Sequence, residues 1–150
     1  MGEIRVKVRI TNQFDEMQAR RGMIPWDQVR RYDADAAVDT GAVRPVVPPH
    51  VIDLLGVELF GQRVAQYADG RTETVPMSES MLFKVLDRET QEEAFVLGTE
   101  VLIGQTILEK LDLLADCANQ KLVPNPAHPD QPVSKIRRRR EVYPPPAGSA

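Results

Sequence analysis

The residues best suited to chemistry lie in the stretch 36–42, which reads AAVDTGA. Asp39 ends an apolar run and is followed by a small hydroxyl residue, Thr40, and by two small residues, Gly41 and Ala42. A carboxylate here could stabilise a turn after a buried strand, or it could act as a general acid or base. Catalysis would require a tight turn without bulky neighbours, and this triplet has that form because glycine permits close backbone approach.

Strand patterns surround this turn. Residues 3–10 alternate apolar and charged side chains, which predicts a half-buried strand. A second strand is predicted to run through YDADAAV into the turn. Two alternating runs flank Asp69 and Gly70, and an Asp-Gly pair between such runs is a strong hairpin signal. MLFKVLDRETQEEAFVLG predicts two more strands, joined by a polar loop over residues 88–93.

Helical signals are weaker. PPHVIDLLG predicts one or two helical turns that end at Gly56. VLIGQTILEKLDLL predicts a short strand, a glycine, and a helix with Ile107, Leu108 and Leu111 on one face. With a single convincing helix and many short strands, the sequence predicts a mainly β, barrel-like domain.

Two other segments carry less regular patterns. Residues 12–31 are polar and irregular, with at most a short helix near residues 27–31. DCANQKLVP predicts a last strand that ends at Pro124. The following sequence, rich in proline and arginine, cannot bury enough surface to offset the entropy of ordering it. We therefore expect one domain over residues 1–126 and a Pro/Arg-rich disordered tail over residues 127–150.

Charge and composition exclude several classes of function. Of a net charge of −3, residues 134–150 contribute +4 and the other residues −7. An acidic body does not favour nucleic-acid binding, although the KIRRRR run could contact phosphate or simply solvate the tail. No apolar run approaches the roughly 20 residues that span a bilayer. No secretory signal pattern is present, so we expect a soluble cytoplasmic protein without nucleic-acid or membrane partners.

Cysteine and histidine are scarce. The single cysteine, Cys117, excludes an intrachain disulfide and is typical of a reducing compartment. A buried or interface thiol is the simpler interpretation of this residue. His50 and His128 lie far apart in sequence, and neither has a cysteine or acidic cluster at ligand spacing. We expect neither a metal site nor a cofactor.

Taken in order, AVDTGA, the YADGR hairpin and VLIGQTIL about sixty residues after Asp39 resemble the retropepsin-like aspartic peptidases, in their small bacterial single-domain form. The resemblance covers residues 4–124. It implies a closed β-barrel with one short C-terminal helix and one lobe per chain. It makes Asp39 the catalytic residue and Thr40, Gly41 and Ala42 the rest of its turn. It assigns a substrate-covering flap to Tyr67, Ala68, Asp69 and Gly70, and a supporting psi-loop to Ile103 and Gly104.

The implied reaction needs two carboxylates that share one proton, because like charges about 3 Å apart cannot both ionise. The charged member takes a proton from water, and the neutral member donates to the substrate carbonyl. This chain holds one Asp-Thr-Gly, so an active enzyme must be a homodimer that joins two Asp39 residues. Its substrate would be an extended peptide or protein segment. The alternative is a non-catalytic dimerisation or peptide-binding module on the same fold.

Two features depart from the viral members of that family. Many of these carry an acid after the Ala of the turn and an Arg after the Ile-Gly, and the two form an ion pair. Val43 and Gln105 occupy those places here. Arg44 follows and could bind a substrate carboxylate or lie on a solvated surface. The hairpin tip, with Tyr67 and Asp69, is bulkier and more charged than a glycine-rich flap.

Overall fold

A nine-stranded sheet organises the chain in the computed structural model, which describes residues 3–136. Its strands are β1 (Arg5–Thr11), β2 (Arg31–Val38), β3 (Val46–Val47), β4 (Leu59–Gln66), β5 (Thr72–Ser78), β6 (Met81–Val85), β7 (Arg88–Glu92), β8 (Phe95–Val96) and β9 (Leu102–Ile103). Strands β10 (Leu113–Asp116) and β11 (Lys121–Pro124) form a separate pair. The helices of this described part are α1 (Gln13–Arg20), α2 (Pro49–Leu55) and α3 (Gln105–Leu111).

The order of the sheet confirms a mainly β fold and corrects two details. The strands run β4-β5-β8-β3-β9-β2-β1-β6-β7, so β4 and β7 are its two edges. Within residues 3–136 these edges do not pair with each other, and the sheet is therefore not the closed barrel that the resemblance implied. The short C-terminal helix is present as α3, but it is not the single helix of the fold, because α1 and α2 precede it in the described residues.

The alternation of β1 sorts its side chains as predicted. Val8 and Ile10 are buried, whereas Arg5, Lys7 and Arg9 face outward. Strand β1 lies between β2 and β6, antiparallel to both. On the outer face Arg9 opposes Asp33, and Arg9 Nε lies 2.8 Å from Asp33 Oδ1. Cross-strand charge pairs of this kind stabilise the register of the two strands.

The core is aliphatic, with Phe83 as its largest side chain. It forms one cluster between the sheet and helices α2 and α3, and burial of its apolar surface drives the folding of these elements together. Its fully buried members include Val8, Ile10, Val47, Leu55, Met81, Phe83, Val85, Ile103, Ile107 and Leu111. Helix α3 contributes Ile107, Leu108 and Leu111, the face that the sequence predicted.

Residues 12–31 contain more regular structure than we predicted. Helix α1 begins after Asn12, whose side chain accepts a hydrogen bond from the Asp15 N–H. The short helix expected near residues 27–31 is instead one 3-10 turn over Trp26–Gln28, because Arg31 already belongs to β2. Asn12 is a strong helix cap, and its cap is the local signal that predicts this helix.

Strand β7 replaces the polar loop predicted over residues 88–93. Leu86 and Asp87 both adopt positive φ, 51° and 64°, and turn the chain directly from β6 into β7. Two charged side chains of β7, Arg88 and Glu92, point inward and are 7% and 6% exposed. A loop was predicted because the segment is polar, but each of these inward charges has partners within the protein.

The predicted hairpin around Asp69 and Gly70 is confirmed as β4 and β5, which pair antiparallel. The segment PPHVIDLLG forms α2, which ends at Gly56 with φ of +63°. Strand β11 confirms the predicted last strand, and β10 is an additional strand that pairs with it. No helix within residues 3–136 has the length and apolarity to cross a bilayer.

The chain follows the body beyond the boundary predicted at residue 126. His128 Nδ1 lies 2.6 Å from Asp112 Oδ2, and the Val133 N–H donates to the same oxygen. Arg88 adds a hydrogen bond to the His128 carbonyl oxygen. Contacts with the body thus continue through Val133, in a segment without helix or strand. The rest of the predicted tail, residues 137–150, lies outside the described residues.

Candidate active site

Backbone hydrogen bonds fix the position of Asp39 in the turn after β2. The Asp39 N–H donates to the Ile103 carbonyl oxygen at 2.9 Å, which ties the start of the turn to β9. The Gly41 N–H donates to Asp39 Oδ1 at 3.0 Å, and the Ala42 N–H donates to the Asp39 carbonyl oxygen at 3.2 Å. Asp39 and Thr40 are exposed in the single chain. The carboxylate is therefore oriented but open to solvent.

A second element supports the turn from behind. Strand β9 runs parallel to the end of β2 and places Ile103 opposite Val38. At the start of α3, the Gln105 N–H donates to the Ala42 carbonyl oxygen at 2.7 Å, and the Thr106 N–H donates to the Val43 carbonyl oxygen at 2.9 Å. The first amides of a helix have no partner within the helix. Here they bind the backbone that follows Asp39 and fix the two elements together.

Gly104 permits this contact because it has no side chain. A Cβ atom at this position would lie 2.6 Å from the Arg44 carbonyl oxygen and 2.9 Å from that of Ala42. The φ of Gly104 is −97°, which other residues adopt readily. Glycine is therefore required here because there is no room for a Cβ atom, and not because of the backbone conformation.

The residues beside the Asp39 turn do not form the ion pair that the viral enzymes have at these places. Val43 is 66% exposed, and the Gln105 side chain donates to Glu109 on its own helix. Arg44 Nη1 lies 3.3 Å from Glu92 Oε1 and 3.4 Å from Glu93 Oε1. The sequence left two roles open for Arg44, binding a substrate carboxylate or lying on a solvated surface. In the structure its guanidinium is instead held against the end of β7.

The tip of the β4–β5 hairpin is organised by its own residues. The Tyr67 N–H donates to the Arg71 carbonyl oxygen, and the Gly70 N–H donates to that of Tyr67. Asp69 accepts from both the Arg71 N–H and Arg71 Nε. Tyr67 donates its hydroxyl to Glu73, and this hydrogen bond raises the pKa of Tyr67. The Arg71 guanidinium lies 5.5 Å from the centre of the Tyr67 ring.

The residues predicted as one site thus fall into two groups. Backbone hydrogen bonds bring Asp39, Gly41 and Ala42 together with Ile103 and the residue after Gly104. Among residues 3–136, no hydrogen bond or ion pair joins the hairpin tip, residues 67–71, to the Asp39 turn. The flap role of Tyr67, Ala68, Asp69 and Gly70 therefore stays a prediction.

Sequence reasoning missed the part played by β7. Glu92 lies between Arg44 Nη1 and Lys110 Nζ, at 3.3 Å and 3.1 Å, and so joins the chain after the turn to α3. No local signal predicts this bridge, because its three members are far apart in sequence. Over the same described range, no three His, Cys, Asp or Glu side chains are grouped so as to hold a metal ion. No protein-family model matches the chain, and no curated protein matches it in sequence.

Proposed function

We propose that this chain is one half of a homodimeric aspartic endopeptidase of the retropepsin-like type. The observation that carries the proposal is the Asp39 turn, whose carboxylate is oriented by the Gly41 N–H and whose backbone is bound to β9 and α3. A general acid or base must be held in place while remaining accessible to substrate. The exposed Asp39 carboxylate meets both requirements.

In the proposed mechanism two chains bring their Asp39 carboxylates together at a two-fold axis. One carboxylate stays protonated because two charges cannot coexist about 3 Å apart. The charged carboxylate removes a proton from a water molecule, which attacks the scissile carbonyl carbon. The protonated carboxylate donates to the carbonyl oxygen. Collapse of the tetrahedral species then breaks the C–N bond. The leaving amine takes the proton that the first carboxylate removed from water, and the second carboxylate regains its proton from the hydroxyl of the tetrahedral species.

The test is digestion of a diverse peptide library between pH 3 and 7 by the wild type and by Asp39→Asn. Asp53→Asn is the matched control, because Asp53 is an exposed carboxylate on α2 without a hydrogen bond to a described side chain. We expect cleavage that pepstatin inhibits, that disappears in Asp39→Asn and that persists in Asp53→Asn. Cleavage that survives in Asp39→Asn would exclude the proposed mechanism.

A second candidate function is a dimerisation or peptide-binding module without catalysis. Gln105 favours it, because this neutral side chain, which donates to Glu109, stands where the viral enzymes carry the cation that supports the turn. A folded wild-type dimer that binds peptides of the library and cuts none would favour this module over the peptidase.

A further inference from the structure

The β4–β5 hairpin has two different faces, and its register assigns each side chain to one of them. Val75 is 2% exposed, so its face turns toward the rest of the protein. Side chains alternate along a strand, which places Glu73 on the same face. Val75 pairs with Arg63, and Glu73 pairs with Ala65. We call this the inner face, and it carries Arg63, Ala65, Tyr67, Arg71, Glu73 and Val75.

The distribution of charge over the two faces is the reverse of an ordinary surface hairpin. A sheet with one solvated face normally places polar and charged side chains on that face and apolar side chains beneath. Here the only charged residues of β4 and β5, Arg63 and Glu73, both lie on the inner face. The outer face is uncharged and carries Gln62, Val64, Gln66, Thr72, Thr74 and Pro76. The charged side chains of this hairpin thus lie on the face that would contact a peptide bound beneath it.

Among these inner charges, one cation is free. Glu73 accepts the Tyr67 hydroxyl, and Arg71 is bound by Asp69 and lies over the Tyr67 ring. The Arg63 side chain is exposed and makes no hydrogen bond or ion pair with another described residue, whereas its backbone belongs to the β4–β5 pairing. The inner face therefore presents an unpaired guanidinium, a group that binds carboxylates through two parallel hydrogen bonds.

We propose that Arg63 selects an acidic side chain in the peptide substrate, an inference that rests on the proposed function. Arg63 lies four residues before Tyr67, a distance of about 13 Å along an extended strand. An extended peptide beneath the hairpin covers that distance in about four residues. In a homodimer each chain supplies one hairpin, so the preference falls about four residues to either side of the bond beneath the tips.

The test compares 12-residue peptides that carry Glu, Gln or Lys three to five residues from the cleaved bond. Binding is measured by fluorescence anisotropy on the full-length Asp39→Asn chain, and cleavage on the wild type. Where the wild type cuts nothing, the peptides are those captured from the same library by Asp39→Asn. We expect Glu peptides to be favoured over Gln peptides by about threefold to tenfold, with Lys peptides last and the preference weaker at high salt.

Two variants assign the preference to Arg63. Arg63→Glu is expected to favour Lys peptides over Glu peptides. Gln62→Glu adds an acid one residue away on the outer face and should keep the wild-type order. Both positions are exposed, so neither change disturbs the core. Thermal unfolding of each variant verifies the fold.

The outcomes separate this inference from the proposed function. Peptides that are cut or bound equally well with Glu, Gln and Lys would overturn the role of Arg63 and leave the peptidase in place. A Glu preference in binding without cleavage would support Arg63 and exclude the peptidase. A chain that neither binds nor cuts any peptide would overturn both.

Discussion

Gly104 lies where the backbone before α3 touches the backbone after the Asp39 turn. A Cβ atom would be 2.6 Å from the Arg44 carbonyl oxygen, and backbone atoms cannot rotate away as a side chain can. We predict that Gly104→Ala lowers the free energy of unfolding by about 1–3 kcal/mol, as overpacking does in protein cores. Urea unfolding followed by circular dichroism measures the change.

Gly41→Ala is the informative comparison for that variant. Its Cβ would lie 3.3 Å from Asp39 Oδ1, so a small movement of one carboxylate relieves the contact. We expect Gly41→Ala to disturb peptide cleavage while changing stability less than Gly104→Ala does. Equal stability of Gly104→Ala and the wild type would show that the two backbones are not held at this distance.

Asp15 provides a prediction about pH. It is buried, and its carboxylate accepts from the Arg30 N–H, Nε and Nη2 at 2.8–3.0 Å. The Arg30 side chain, as the strongest influence, lowers the pKa of Asp15. A lowered pKa contributes stability above the unfolded value of about 3.9, and this contribution is lost as pH falls through the folded value.

Asp15→Asn should therefore be less stable than the wild type at pH 7, and the difference should shrink below about pH 4. Urea unfolding at intervals between pH 2 and 7 tests this. Glu16→Gln is the control, because it changes the neighbouring acid on the same helix. Glu16 forms its ion pair with the exposed Arg20. A difference between Asp15→Asn and the wild type that is constant over this range would exclude the ion pair as its cause.

At the scale of single residues, the sequence analysis identified local features and missed contacts between residues far apart in the chain. The Asp39 turn was found because small residues beside a carboxylate are visible in the chain itself, and Gly104 was assigned its supporting role through the family resemblance. The pairing of Arg44 with Glu92 and Glu93 was not, since the fold brings together residues almost fifty positions apart. The free charge of Arg63 also became visible only once the register was known.

At the scale of elements, the β6–β7 turn uses residues poorly suited to it. Leu86 and Asp87 both have positive φ, whereas Asn-Gly is the favoured pair for two such positions. Leu86 is 41% exposed, so its replacement removes little from the core. We predict that Leu86→Asn with Asp87→Gly raises the free energy of unfolding by about 1 kcal/mol, which urea unfolding measures.

The reverse change tests the same explanation. Asp87→Val places a β-branched side chain at a positive φ and should destabilise the protein by a similar or larger amount. A destabilised Asn-Gly variant would mean that Leu86 or Asp87 makes a contact more important than the turn conformation.

The β6–β7 turn also illustrates why some elements could be predicted from the sequence and others could not. Strand β1 and the β4–β5 hairpin follow from alternation and from an Asp-Gly pair, both local signals. Strand β7 was missed because Leu86-Asp87 is not a recognisable turn and because its inward positions are charged. Arg88 and Glu92 are tolerated there only through partners on other elements, which no sequence window contains.

For the whole molecule, the number of catalytic carboxylates sets the proposed assembly. The chain supplies one Asp39 turn, and both Asp39 and the neighbouring Val43 are exposed in the single chain. Two copies related by a two-fold axis would cover this surface and complete the pair of carboxylates. Activity is then a property of the dimer, so specific activity should fall when the enzyme is diluted below its dissociation constant.

Mixing experiments separate this requirement from activity of a single chain. When wild type and Asp39→Asn are unfolded together in equal amounts and refolded, random pairing gives about one quarter wild-type dimers. We predict specific activity, per total protein, near one quarter of that of refolded wild type. A mixed dimer has only one Asp39 carboxylate and should therefore be inactive. Mixing with Asp53→Asn should leave the activity unreduced. A value near one half would mean that each chain works alone, and the two-carboxylate mechanism would then be excluded.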